Sequence, residues 1–307
     1  MDKISFSFVL SEEQQAAKEQ LCKKLLKKKH VKQWIKKNHV DEAYIFAHSG
    51  KIYDWNNQRE KCDGCQGLAF CRQPVKGCFY DLEIDQVLHK VLNKCNHQKA
   101  FEEAYKHKEK YRIMDMLESY LLVNIKALGR ELASENSKSS TDILKGIDML
   151  LAENPVKGMY LYGKPGVGKS YLAAGITNYF AKETTKSVAY VNVPKFISDV
   201  KLLFQDAEQL DRKLRMVKNV DVLVLDDIGG ESITTWSRDE VLLPILDQRM
   251  EQKKLTIFTS NYKMAELKVK LAHTSNKMAE EMAAERIMDR IKALSDEVFV
   301  KGESRRK

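Results

Sequence analysis

The 307-residue sequence has no long apolar run. A transmembrane helix needs roughly 18 or more consecutive apolar residues, and no stretch of the chain approaches that length. Residues 1–10 offer only a short apolar segment, and acidic residues follow it, so a secretory signal peptide is not expected. These absences predict a cytoplasmic protein that does not associate with a membrane.

Cysteine is missing from the last two thirds of the chain. Of the six cysteines, Cys22 stands alone and the other five lie between residues 62 and 95. A chain without an export signal keeps its thiols reduced, which excludes a disulfide framework and leaves free thiols or metal ligands. The sequence also has no internal repeat and no low-complexity tract.

The composition is that of a folded protein with a basic surface. Apolar residues make up 43% of the chain, which is enough for a sizeable core and excludes wholesale disorder. The formal net charge is +9. A surplus of this size indicates an anionic partner such as nucleic acid, although an ordinary lysine-rich surface explains it equally well.

The length predicts two domains, at roughly 150 residues each. A polar run without apolar periodicity at 134–141 is interpreted as a linker. Before it, apolar spacing predicts helices over 11–37, 81–94 and 98–133 and no convincing strand. The predicted parts are an N-terminal domain at 1–100, a helical connector and linker at 101–140, and a C-terminal domain at 141–307.

After the linker, short apolar runs alternate with helical stretches. The apolar runs lie at 158–162, 188–193, 220–225 and 256–259. Alternation of this kind predicts an α/β domain whose parallel sheet is flanked by crossover helices.

A phosphate-binding loop motif follows the first of these runs. Residues 163–170 fill every fixed position of the pattern G-x-x-x-x-G-K-[ST], between a predicted strand and a predicted helix. In this motif the backbone N–H groups point at phosphate oxygens, Lys169 neutralises β- and γ-phosphate charge, and the Ser170 hydroxyl binds Mg²⁺. The predicted ATP-binding residues here are Gly163, Lys164, Pro165, Gly166, Val167, Gly168, Lys169, Ser170 and Tyr171.

Polar side chains follow two of the later strand runs. Asp226 and Asp227 come after the run at 220–225, and Asn261 follows the run at 256–259. The carboxyl ends of parallel strands converge on the ligand crevice, so these side chains are expected near the phosphates. We predict that Asp226 holds Mg²⁺ through water, that Asp227 polarises the attacking water, and that Asn261 senses the γ-phosphate.

The order of these elements resembles the AAA+ ATPase family. An extra helical stretch between Val193 and Val220 is similar to that of its initiator and loader branch. The sequence at 225–241 and 160–163 looks like the replicative helicase loaders of low-GC Gram-positive bacteria. This resemblance is strong over residues 135–307 and looser before them. It implies an ATP-dependent loader that delivers the hexameric replicative helicase onto single-stranded DNA.

The resemblance also implies an arginine that reaches the nucleotide of a neighbouring subunit. Arg290 best fits this position, with Arg286 as the alternative. Such an arginine supplies positive charge to the transition state, so hydrolysis depends on self-association through the ATP site. For either arginine alone, a salt bridge on the helix surface is an equally open interpretation.

Two features depart from the family pattern. Only 17 residues follow Arg290, too few for the helical lid that many AAA+ proteins carry. Position 227 is Asp where fast members of the family usually have Glu. Both features predict a slow, switch-like ATPase rather than a motor.

The cysteine-rich segment predicts a structural zinc site. Zinc prefers four sulfur or nitrogen ligands, and a close cysteine pair around a turn suits a knuckle. The family resemblance implies a zinc-bearing N-terminal domain in which Cys95 is a ligand. A fifth thiol is left spare, or three thiols combine with His89 or His97. The candidate ligands are Cys62, Cys65, Cys71, Cys78 and Cys95.

Two basic stretches are candidates for contact with DNA. Residues 21–37 contain eight lysines and no acid, which fits either a phosphate-contacting face or a core helix with solvated lysines. In the C-terminal half, Lys195 and Lys201 flank Phe196. Cations beside an aromatic ring suit single-stranded DNA, because bases stack on the ring while the cations follow the backbone. Phe196 packed in the core is the alternative.

The combined prediction is an α/β AAA+ domain preceded by a mainly helical zinc-binding domain that contacts the helicase. Two alternatives stay open. One is an AAA+ ATPase of the transposition-regulator type that acts on a transposase, which the zinc domain argues against. The other is a non-hydrolysing adaptor that ATP switches, which Asp227 and the missing lid favour.

Overall fold

The computed structural model describes residues 11–152, 155, 157–272 and 277–304. The chain divides into two compact units, residues 1–104 and 105–307. None of the helices in these described ranges is both long and apolar enough to cross a lipid bilayer.

The first unit consists of helices followed by a β-hairpin. A Ser11 capping box opens its first helix. The elements are α1 (Glu12–Leu25), α2 (Lys29–Asn38), α3 (Glu42–Ala47), α4 (Ser49–Glu60), β1 (Cys78–Asp85), β2 (Val87–Lys94) and α5 (Asn96–Tyr105).

Two tryptophans fasten the helices to the hairpin. Trp34 Nε1 donates to Leu82 O at 2.8 Å, and Trp55 Nε1 donates to Tyr80 O at 3.1 Å. Both indoles are buried, so each N–H needs a partner, and the carbonyls of β1 supply it. The core of this unit therefore lies between α2, α4 and one face of the hairpin.

The helix predicted over 81–94 is wrong, because these residues form most of the hairpin. The chain reverses at Gln86, whose φ is 57°, and Asp85 pairs with Val87. Leu82 and Leu88 are the buried side chains of the two strands. A short apolar run fits both a helix and a strand pattern. Here the tight turn at Gln86 allows the two halves to pair as strands.

The second unit is a three-layer α/β domain around a six-stranded parallel sheet of order β3-β5-β6-β7-β4-β8. Its strands are β3 (Tyr111–Met114), β4 (Gly158–Tyr162), β5 (Val188–Asn192), β6 (Val222–Asp226), β7 (Leu255–Ser260) and β8 (Ser295–Phe299). Its helices are α6 (Ile125–Ser134), α7 (Lys138–Leu151), α8 (Lys169–Glu183), α9 (Val193–Leu202), α10 (Ala207–Asn219), α11 (Leu243–Glu251), α12 (Met264–Leu271) and α13 (Lys277–Leu294).

The predicted α/β architecture with a parallel sheet is confirmed, and the four predicted strands form its central part. Side chains alternate along β6: Leu223 and Leu225 pack with α9–α13, while Val222 and Val224 pack with α6–α8. The strands β3 and β8 were not predicted. Each is an edge strand, paired on one side, and needs less apolar sequence.

The polar run at 134–141 differs from the predicted linker, since α7 begins at Lys138. Ser137 is the helix cap, and its side chain accepts the N–H of Ser140 at 3.1 Å. Serine residues therefore start a helix here. The predicted helical stretch at 98–133 is also interrupted, because β3 lies within it.

Candidate nucleotide site

The phosphate-binding loop joins β4 to α8. Gly168 is the N-terminal cap of α8 with φ 104°, a conformation that favours glycine. A Cβ at Gly163 would lie 2.4 Å from Val300 O, so a larger residue does not fit where the tail after β8 crosses the loop. The loop therefore delivers its backbone N–H groups at the start of a helix, where anions bind.

Lys169 lies buried at the centre of the loop. Its Nζ donates to Gly163 O, Lys164 O and Asn261 Oδ1, each at 2.9 Å. Asn261 follows β7, so two strands contribute to this contact. These three contacts fix the Lys169 ammonium group beside the loop that would bind phosphates.

The predicted carboxylates lie at the same edge of the sheet. Asp226 ends β6 and is buried, and its Oδ1 accepts the Thr259 hydroxyl at 2.6 Å. Asp227 has φ 59°, and its Oδ1 accepts Nδ2 of Asn261 at 3.2 Å. Asn261 therefore bridges Lys169 and Asp227, and the structure brings the predicted residues together.

Next to these side chains is a cavity of about 790 Å³. Its polar end is the phosphate-binding loop with Asp226, Asp227 and Asn261. Its other wall is contributed by α6, α7 and the segment after β8, including Leu128, Leu132, Ile143, Val300 and Lys301. A cavity with apolar side chains on one wall and a phosphate-binding loop on the other suits a nucleotide.

No sequence signal identified this second wall. Ser139 and Ser140 line the cavity within the run interpreted as a linker, and Ser139 Oγ donates to Phe299 O at 2.7 Å. Tyr171 also lines it and makes an edge-to-face contact with Tyr120, at 5.4 Å between ring centroids. Apolar helix residues look the same in sequence whether they face a core or a ligand.

Comparison with known proteins agrees with this geometry. The family described as IstB-like ATP binding protein matches residues 131–307. The replicative helicase loader DnaI of Bacillus subtilis (strain 168) is 34% identical over 299 residues, covering 94% of this chain and 93% of that protein. The chain belongs to this ATP-binding family of helicase loaders.

Two further relatives match a smaller share of the chain. The replicative helicase loader DnaC of Escherichia coli (strain K12) is 30% identical over 131 residues, or 42% of this chain and 48% of that protein. A crystal structure of DnaI, 34% identical, aligns with a TM-score of 0.54 over 63% of this chain and 98% of that chain. The second unit is therefore an ATP-binding domain of this family.

The arginines on α13 lie apart from the cavity wall. Arg290 Nε donates to Asp247 Oδ1 of α11 at 2.7 Å. Arg286 is exposed and forms no salt bridge within the described residues. Arg290, which best fits the predicted position, is therefore bonded within its own chain, whereas Arg286, the alternative, is accessible to solvent.

Several cysteine thiols of the first unit take part in hydrogen bonds. In the part of the chain that the structure describes, no group of three or more His, Cys, Asp or Glu side chains could hold a metal ion, so the predicted zinc site is not supported. Cys22 is buried in the helical core, and the five other thiols are half-buried. His89 bonds to Val87 O within β2.

Three of these thiols accept N–H donors. Cys71 Sγ accepts the Gly77 N–H at 3.4 Å, Cys95 Sγ accepts the Gln98 N–H at 3.4 Å, and Cys62 Sγ accepts Gln73 Nε2 at 3.1 Å. The N–H groups of Gly77 and Gln73 lower the pKa of Cys71. Donors of this kind stabilise thiolates, the form of cysteine that binds metals, so the donor set is chemically compatible with zinc.

The two basic stretches have different surroundings in the structure. The lysines of α2 are exposed around buried Val31 and Trp34, as expected for a core helix with solvated lysines. Phe196 is fully buried in the sheet core, so its predicted role as a stacking platform is wrong. Lys195 is ion-paired with Asp115.

Sequence analysis missed two aromatic residues on the surface beside Lys201. Phe204 is 55% exposed, and its ring lies 4.8 Å from that of Trp236. Lys201 Nζ lies 5.9 Å from the Trp236 ring centroid. This aromatic and cationic surface, Lys201, Phe204 and Trp236, has the composition predicted for the Phe196 region.

Proposed function

We propose that this protein loads a hexameric replicative helicase onto single-stranded DNA in an ATP-dependent reaction. The observation that carries the proposal is the likeness to the Bacillus subtilis loader, because it spans 94% of the chain and thus both compact units. A nucleotide-binding fold alone would support only an ATP-dependent activity. We assign helicase binding to the first unit and the binding of ATP and DNA to the second.

Size-exclusion chromatography with light scattering tests the proposal. The protein is mixed with the replicative helicase of its own host, with ATP, with ADP and without nucleotide. Co-elution at a mass above that of the hexamer alone is expected. Separate peaks under all three conditions would contradict the loader function and leave an ATP-binding protein with another partner.

We infer slow ATP hydrolysis from the side chains at the polar end of the cavity. The loop N–H groups and Lys169 bind the phosphates, and Nζ exchanges its carbonyl contacts for phosphate oxygens. The Ser170 hydroxyl and the Asp226 carboxylate are oxygen donors of the kind that Mg²⁺ prefers, and the ion would neutralise charge on the β- and γ-phosphates. Asp227 polarises the attacking water, and the Asn261 amide orients it.

We propose Arg286 as the arginine that completes the site of a neighbouring subunit. An arginine with this role must be accessible in the isolated chain, and Arg286 meets that condition. Arg290 would first have to leave Asp247, to which it is bonded at 2.7 Å. Assembly through the ATP site then makes hydrolysis dependent on a second copy of the chain.

We propose the surface of Lys201, Phe204 and Trp236 as the contact for single-stranded DNA. Phe204 presents more than half of its surface to solvent, so a base can stack on it. Lys201 supplies a cation beside the rings. Stacking of this kind tolerates any base, as a loader requires.

We propose a structural zinc ion in the first unit, held by four of Cys62, Cys65, Cys71, Cys78 and Cys95. The support is the set of N–H donors on the sulfurs of Cys62, Cys71 and Cys95. The hairpin also places Cys78 and Cys95 at its open end, where Cys95 N donates to Gly77 O at 2.8 Å. A bound ion would supply folding free energy to this small unit.

A further inference from the structure

The backbone of the turn after β6 is completely hydrogen-bonded. Asp227, Ile228 and Gly229 carry three N–H and three C=O groups, and each of the six has a partner. At the end of β7, Thr259 accepts the N–H groups of Asp227 and Ile228, and the Ser260 hydroxyl donates to Ile228 O. The strand beside β6 therefore fixes the first part of the turn.

Two charged side chains from outside β7 hold the Gly229 residue. Glu231 Oε2 accepts the Gly229 N–H at 2.9 Å, and Lys270 Nζ of α12 donates to Gly229 O. Lys270 Nζ also donates to the Tyr262 hydroxyl at 3.0 Å. Gly229 has φ 86°, and a Cβ there would lie 2.7 Å from Leu267 Cδ1, so the turn packs directly on α12.

The Glu231 carboxylate is buried, and burial disfavours its charged form. Its residue is 6% exposed, and Oε1 has no hydrogen-bond partner within the described part of the chain. Burial raises the pKa of Glu231, although the backbone N–H groups of Glu231 and Gly229 and, to a smaller extent, the charge of Lys270 act against it. A buried acceptor without a partner costs stability, which points to a role other than packing.

The Gly229 residue is linked to Asp227 through the next residue. Gly230 N donates to Asp227 O at 2.9 Å, and a Cβ at Gly230 would lie 2.4 Å from Asp227 Oδ2. Asp227 itself has φ 59°, which is uncommon for a residue with a side chain and persists only where the surroundings hold it. Gly229 and Gly230 therefore help to hold the backbone that aims the Asp227 carboxylate, together with the end of β7.

We infer that Glu231 and Lys270 are positioning residues that hold Asp227 in the orientation for hydrolysis. They act on the two sides of the Gly229 residue and do not line the nucleotide cavity. The inference rests on the ATP hydrolysis proposed above. It predicts that the two residues affect turnover and leave nucleotide binding unchanged.

Steady-state ATP hydrolysis by Lys270→Met and Glu231→Met tests the inference. Both variants are expected to lower kcat about tenfold or more, because misplaced catalytic groups lose rate steeply, while KM and the affinity for a fluorescent ATP analogue stay within about twofold. Lys270→Arg restores a donor to Gly229 O and should recover most of kcat. The matched controls are Lys182→Met and Glu183→Met, exposed on α8.

Hydrogen exchange on the nucleotide-free protein gives a second readout that does not need turnover. Residues 227–231 are expected to exchange at least about tenfold faster in both variants, since each removes a bond to Gly229. Unchanged kcat and unchanged exchange would overturn the inference. If the wild type hydrolyses ATP no faster than Asp227→Ala, the proposed hydrolysis is wrong, and exchange alone decides whether the two residues hold the turn.

Discussion

Arg286 and Arg290 are one helical turn apart on α13, yet of the two only Arg290 forms an ion pair with another residue that the structure describes. Arg286→Ala is expected to lower kcat of ATP hydrolysis about a thousandfold, the scale of an arginine finger. Arg290→Ala should lower it far less. A mixture of Arg286→Ala with Lys169→Ala should regain part of the lost rate, because an intact loop of one variant then meets an intact arginine of the other.

The measurement is steady-state phosphate release by each variant alone and by the mixtures. A mixture containing Arg290→Ala in place of Arg286→Ala serves as the matched control. Recovery of lost activity only with Arg290→Ala would move the assignment to that residue. No recovery in either mixture would exclude an arginine acting between subunits.

Phe204 is the residue on which the proposed contact with single-stranded DNA depends. Phe204→Ala is expected to weaken binding of a single-stranded oligonucleotide by about tenfold, since one stacked base contributes about 1–3 kcal/mol. Fluorescence anisotropy at fixed salt measures the change. Phe101→Ala, an equally exposed phenylalanine in the first unit, should leave the affinity unchanged. Equal losses in both variants would remove the assignment.

Single residues differ in how far sequence identifies them. The phosphate-binding loop, Asp226, Asp227 and Asn261 could be found because their spacing and their place after strands are set by local chemistry. Phe196 and Phe204 could not be distinguished, because which face of α9 is covered depends on the sheet. Sequence also could not show that Arg290 is ion-paired, because its partner Asp247 lies on a different helix.

At the scale of elements, Arg249 ties three of them together. Its buried guanidinium donates to the carbonyls of Val217 and Val220 at the end of α10 and to Leu255 O in β7. Burial lowers its pKa to about 9. Arg249→Met leaves these carbonyls without donors and should lower the free energy of unfolding by about 3–5 kcal/mol.

Urea unfolding followed by circular dichroism measures this loss. Arg212→Met is the matched control, because Arg212 is exposed on α10 and pairs with the exposed Glu208. A surface pair of this kind contributes about 0–1 kcal/mol. A loss of similar size in both variants would show that Arg249 does not join the elements.

The starts of β5, β6 and β7 are joined by Asp221. It accepts Ser187 N at 2.9 Å and Lys254 Nζ at 2.9 Å. Burial alone would raise its pKa, but the hydrogen bonds from Lys254 and Ser187 outweigh it and lower the pKa to about 2. A depressed carboxylate pKa stabilises the fold above the unfolded value near 4, and the effect is lost as pH falls toward 2.

Asp221→Asn is therefore expected to lower the melting temperature at pH 7, with the difference from the wild type shrinking between about pH 4 and pH 2. Thermal unfolding of both proteins across this range gives the measurement. Asp142→Asn on α7 provides a matched control. A difference that is constant with pH would mean that the Asp221 charge does not contribute.

Among the elements, those that sequence missed have two physical causes. The edge strands β3 and β8 are partly polar and pair with strands far away in the chain. The hairpin at 78–94 has a short apolar run that fits a helix or a strand equally well. The central strands β4–β7 are continuous apolar runs because they are buried on both faces, and such runs are easily found.

At the scale of the whole molecule, the two units allow helicase binding and ATP binding to be separated. If four of the five clustered cysteines hold zinc, a double variant with Cys62→Ser and Cys95→Ser loses at least one ligand and should lower the zinc content measured by elemental analysis and abolish co-elution with the helicase. ATP binding should be unchanged, because the phosphate-binding loop lies in the other unit. Cys22→Ser, a thiol in the helical core, is the control that should keep its zinc.

Lys169→Ala is expected to give the reverse pattern, with zinc and helicase binding kept and ATP binding lost. Zinc content of the wild type below the detection limit, in protein prepared without chelator, would exclude the metal and leave the cysteines as free thiols. Loss of ATP binding in the cysteine variants would instead show that folding of the first unit supports the second. Together, the two sets of variants separate a loader with divided tasks from an ATPase whose first unit only stabilises the second.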